Sequence, residues 1–124
     1  MNNDSELIER LFTIHPASWA RVVALVRLKV FIYLAENHGK TFSLVYLENT
    51  LQATINTKYG KLTGALPYIF PSLEVLSEEG LVEKGFKEYN ISPEGHEFYK
   101  ENKKKLEKML KEKRTKYTSH LIKS

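Results

Sequence analysis

Residues 18–38 constrain this chain more than any other stretch, because they carry two apolar stripes on a single helical period. Trp19, Val22, Val23, Val26, Val30, Tyr33 and Leu34 fall on one side, and Leu25, Leu28 and Ile32 on another. A helix apolar on two sides is buried on two sides. In a chain of 124 residues, near the size where oligomerisation helps a single core, the expected second cover is another subunit. Ser18 caps this helix, and Asn37-His38-Gly39 stops it with a glycine suited to the left-handed conformation.

Shorter elements surround it. Asp4-Ser5 starts a helix with Leu7, Ile8, Leu11 and Phe12 on one face, ended by His15-Pro16. Thr41-Phe42 reads as a brief strand, and Ser43 caps a helix over 43–53 with Leu44, Leu47 and Leu51 inward. The polar stretch 53–64 reads as a turn or loop. Leu66, Ile69, Phe70, Leu73 and Leu76 then predict a helix ending at Gly80. Its regular part is expected from near Pro71, which has no N–H to give the Pro67 carbonyl. Residues 81–92 read as a hairpin turning near Gly85. Ser92-Pro93 opens a last helix to about Tyr117, whose apolar positions are sparse: Phe98, Leu106, Met109, Leu110, Tyr117 and Leu121. So narrow a stripe suits a dimer seam. Leu7, Leu11, Leu106, Met109, Leu110 and Tyr117 are therefore the expected dimerisation residues.

The fold class is α+β and mostly α, in one domain over 1–124. It divides into an N-terminal helix (1–17), a core (18–92), and a terminal helix with a basic tail (93–124). The net charge of +4 is unevenly spread. Residues 100–124 hold ten Lys/Arg against three Glu, whereas residues 1–99 hold nine against twelve acids. A basic segment on a folded body points to an anionic partner. Arg21, Arg27 and Lys29 interrupt the most apolar region, so no membrane span is expected. Met1-Asn2-Asn3-Asp4 has no basic-then-apolar leader pattern, which predicts a cytoplasmic protein. Zero cysteines exclude disulfides and thiolate chemistry. The four histidines (15, 38, 96, 120) lack metal-ligand spacing. No Gly-rich phosphate loop or nucleophile elbow is present, so neither an enzyme nor a cofactor is expected.

Helix, short strand, helix, turn, helix, hairpin, helix is the order of a winged helix-turn-helix. The segment Phe70-Pro71-Ser72-Leu73-Glu74-Val75-Leu76-Ser77-Glu78-Glu79-Gly80-Leu81-Val82 resembles the recognition helix and wing entry of PadR-type regulators. Tyr89-Asn90-Ile91-Ser92-Pro93-Glu94-Gly95 resembles that family's second wing strand and following helix start. The long first core helix and lysine-rich last helix are also similar to the small archaeal regulators of the Lrs type. The resemblance implies a winged helix with long terminal dimerisation helices, acting as a homodimer on double-stranded DNA at promoters. Contact with the RNA polymerase machinery goes with such a role.

One helix of such a fold enters the major groove while the hairpin straddles the backbone. Tyr68 and Ser72 are the expected groove contacts. Lys58, Tyr59, Lys61 and Thr63 before the helix, with Lys84 and Lys87 in the wing, are the expected phosphate contacts. Tyr89 and Ser92 beside those lysines form a candidate phosphorylation switch. Two other roles fit the same elements: a non-specific architectural DNA protein, and a winged helix used as a protein-interaction module.

Overall fold

The structure, a computed structural model, describes the backbone of residues 3–12, 18–51, 55–57, 60–62 and 66–123, and the side chains of 4–12, 23–51 and 68–111. It is α+β and mostly helical. Helix α1 (Asn3–Phe12) precedes α2 (Ser18–Glu36), strand β1 (Phe42–Ser43) and α3 (Leu44–Leu51). Strands β2 (Ile55–Thr57) and β3 (Gly60–Leu62) pair antiparallel where a turn or loop is expected. Then come α4 (Leu66–Glu78), the hairpin β4 (Val82–Lys84) and β5 (Glu88–Ile91), and α5 (Pro93–Lys123).

Helix α2 is buried on two sides, but both covers belong to the same chain. It packs against α4 along one side and against α5 along another. Phe31 on α2 is fully buried and meets Phe12 of α1 at 5.9 Å between ring centroids, Phe98 at 5.7 Å and Tyr99 at 6.2 Å. These separations suit tilted and edge-on aromatic contacts. The stripe on α5 that suggests a dimer seam is thus partly spent on this core. Leu106 is 0% and Leu11 2% exposed within one chain. Leu7, Met109 and Leu110 are half-buried against the same cluster. Tyr117 lies on α5, and its side chain is outside the described residues.

Polar ties fix α1 to the body. Arg27 donates to the carbonyl oxygen of Leu11 at 3.0 Å, satisfying an end-of-helix acceptor. Burial holds its guanidinium pKa below the ordinary arginine value. Arg10 forks onto Glu79 at 2.7 and 3.3 Å, and Asn102 donates to Asp4 at 2.9 Å.

Caps set the boundaries around the sheet. Ser43 accepts the Tyr46 N–H at 3.1 Å and so starts α3. Helix α4 starts at Leu66 with Pro71 inside it, earlier than the prolines predict. Pro71 is exposed, so its ring has room on the solvent side. Gly80 ends α4 at φ 80°, with its N–H on Ser77 O and the Leu81 N–H on Leu76 O, both at 3.0 Å. That is the paired-carbonyl stop that a left-handed glycine permits. The chain reverses there directly into β4. The three strands pair in the order β1–β5–β4, with Phe42 opposite Tyr89 and Lys84 opposite Tyr89 on the other edge. Ser92 caps α5 by accepting the Gly95 N–H at 2.9 Å while donating to Gly80 O at 2.6 Å. A side chain at Gly95 would collide with the Leu81 backbone, so this helix start packs as closely as backbone allows.

Candidate nucleic-acid interface

The stop at Gly80 lays the β4–β5 hairpin alongside α4, and the two are joined by an ion pair. Lys84 Nζ lies 2.9 Å from Glu74 Oε2, with both side chains partly exposed. The Glu74 carboxylate holds the Lys84 pKa above its ordinary value. The outward face of α4 carries Phe70 (43% exposed), Pro71 and Glu78, with Glu74 half-buried between them. The inward face carries Ile69, Ser72, Leu73 and Leu76, each 1% exposed or less.

Ser72 is therefore a correction to the sequence reading. It is buried, one turn from both Ile69 and Leu76, and cannot reach a groove. The expected stripe counts Phe70 as inward; Phe70 points out, and Ser72 takes its place. Tyr68 is half-buried and packs against the core, leaving only part of its side chain for a ligand. Lys58, Tyr59 and Thr63 lie outside the described residues, as does the side chain of Lys61 on β3.

The hairpin turn is closed by the Gly85 N–H on Glu88 O at 2.8 Å, leaving Phe86 and Lys87 at its apex. Lys87 adopts φ 60° and sets its Nζ 5.3 Å from the centroid of the Phe86 ring. Phe86 is 87% exposed. Of the two hairpin lysines, Lys84 is engaged by Glu74, and Lys87 stands at the tip. Nothing in the composition singles out Phe86; its place between Gly85 and Lys87 in a two-residue turn is the signal that marks it.

The expected phosphorylation switch is also corrected. Tyr89 and Ser92 are each 3% exposed. Burial raises the Tyr89 phenol above its ordinary pKa, and the Ser92 hydroxyl is committed to Gly80 and Gly95. Neither hydroxyl is presented to a modifying enzyme in the folded domain.

Away from this face, α5 exposes Lys104, Lys108 and Lys111 at helical spacing opposite its buried Leu106. His38, after α2, stacks on His96 of α5 with centroids 3.7 Å apart and planes 8° from parallel. The pair borders an open cleft with Thr41, Glu83 and Asn90. Parallel rings this close cannot aim both lone pairs at one ion, and no group of three potential metal ligands occurs among the described residues. No described helix is long and apolar enough to cross a membrane. Compared with protein-family models, curated proteins and solved structures, the chain matches none of them.

Proposed function

We propose that this chain is a winged-helix regulator of transcription that binds double-stranded DNA as a homodimer, docking α4 and the β4–β5 hairpin on the duplex. The observation that carries the reading is topological. A three-stranded sheet ordered β1–β5–β4 takes one strand from between α2 and α3 and closes with a hairpin set directly after α4. That arrangement sets the exposed face of α4 beside a hairpin loop, the two elements that a duplex accepts in a groove and along its backbone. Lys87 at the hairpin apex and the lysine row on α5 supply charge for phosphates and for long-range steering.

A titration of labelled duplex by fluorescence anisotropy, repeated between about 50 and 200 mM salt, tests this. The expected result is affinity that falls linearly on a log–log plot. Equal competition by promoter and random DNA would mark an architectural protein instead.

A second reading has its own observation. The outward face of α4 is apolar and acidic, with Phe70, Pro71, Glu74 and Glu78, and α3 exposes Val45 (65%) and Tyr46 (47%). Such a face suits a protein partner better than phosphates. Absence of DNA binding at about 50 mM salt would favour it.

A further inference from the structure

We propose that Phe86 is a wedge: docking drives its ring between two stacked base pairs while the Lys87 ammonium meets the adjoining phosphate. The proposal deepens the DNA-binding reading and rests on it. Two independent features of the hairpin apex converge on this role. The first is exposure. Phe86 is 87% exposed, while Tyr89 on the following strand is 3% exposed and Phe42 on the neighbouring strand is half-buried against the core. The sheet packs its other aromatic rings and leaves this one outside. The second is backbone. Lys87 holds φ 60°, a conformation common for glycine or asparagine and uncommon for lysine. A tight hairpin turn calls for a residue of positive φ, and here the turn takes it at lysine, which fixes the direction of that side chain. Here the direction sets the ammonium 5.3 Å from the ring centroid.

A flat apolar ring with an ammonium over one face, which can swing out to an anion as the ring inserts, matches a partner with flat aromatic faces and an anion within a few ångströms. Stacked bases beside their phosphate offer both. The acidic neighbours define how the tip approaches. Glu83 and Glu88 flank the apex on the two strands, and Glu83 accepts a hydrogen bond from Asn90 at 2.8 Å. Their carboxylates repel a duplex lying flat along the hairpin, whereas entry by the tip keeps them behind the ring. Lys84 is held by Glu74 at 2.9 Å, so the apex cation is Lys87. Partial unstacking is least costly at TA and CA/TG steps, which are therefore the expected target.

The test uses the full chain with short duplexes bearing a central TA step, read by anisotropy and by permanganate reactivity of the thymines. Wild type should bind and make the thymines of one step hyper-reactive. Phe86→Ala, an exposed change that keeps the fold by circular dichroism, should remove the hyper-reactivity and weaken binding about tenfold. Phe86→Trp should keep both. Tight binding without hyper-reactive thymines, or an unaltered Phe86→Ala, would overturn the wedge and leave the DNA-binding reading standing. No binding by wild type at about 50 mM salt would overturn both. Phe86-dependent partition onto phosphatidylserine-containing vesicles, with no thymine unstacked, would overturn the wedge in favour of a membrane surface.

Discussion

Ser72 places a hydroxyl at 1% exposure inside α4, and its Oγ has no hydrogen-bond partner among the described residues. A buried hydroxyl that loses water without gaining a partner is unfavourable, so removing it should not destabilise the fold. Ser72→Ala should leave the urea midpoint unchanged or raise it, by up to about 1 kcal/mol, and leave DNA affinity intact. A variant of normal stability with weakened DNA binding would mean that Ser72 reaches the ligand after all. The residue misleads because a small polar side chain gives no inward signal, whereas Phe70 gives a strong one. Helical phase follows from where three neighbouring turns pack, and at Ser72 that outweighs polarity.

At the scale of elements, the α4–hairpin contact and the α2–α5 contact each have a charge feature that can be tested. Glu74 holds Lys84 at 2.9 Å and puts a carboxylate on the face proposed to meet DNA. Glu74→Gln should release Lys84, tighten binding several-fold, and steepen the salt dependence by roughly one counterion per protomer. Unchanged binding would show that this face stays clear of the duplex. On the other contact, burial, His38 and Lys100 lower the His96 pKa, against an opposing pull from Glu97. Glu83 lines the same cleft. A histidine with a depressed folded pKa takes its proton more readily when unfolded, so its contribution is complete above about pH 6.5 and declines as pH falls below that value. Urea unfolding at about pH 7.5 and 5.5 should show a smaller loss on acidification in His38→Ala than in wild type. Equal losses would contradict the coupling. Much of this layout was legible in sequence: the glycine stop at Gly80, the Ser92 cap and the two-sided burial of α2 all follow from local rules. What covers α2 was not legible, since the stripe on α5 reads equally well as core or as dimer seam. The β2–β3 pairing was not legible either, because Ile55–Leu62 is polar and short enough to pass for a loop.

For the whole molecule, burial of Leu106 and Leu11 inside one chain moves the proposed dimer contact outward along α5. At 31 residues, this helix is about 46 Å long, and it continues well past Leu106. Tyr117→Glu with Leu121→Glu, on the outer part of the α5 stripe, should therefore give a folded monomer in analytical ultracentrifugation. Leu106→Glu should unfold the chain, because a charge would enter a site 0% exposed. A monomeric wild type would remove the dimer from this account. The central claim is that α4 and the hairpin face a duplex, and backbone amide shifts of isotope-labelled protein titrated with duplex DNA test it most directly. The largest changes should fall on the first half of α4 and on residues 84–88, with a weaker set along the α5 lysines. Shifts centred instead on Val45 and Tyr46 of α3, or no shifts at low salt, would contradict it.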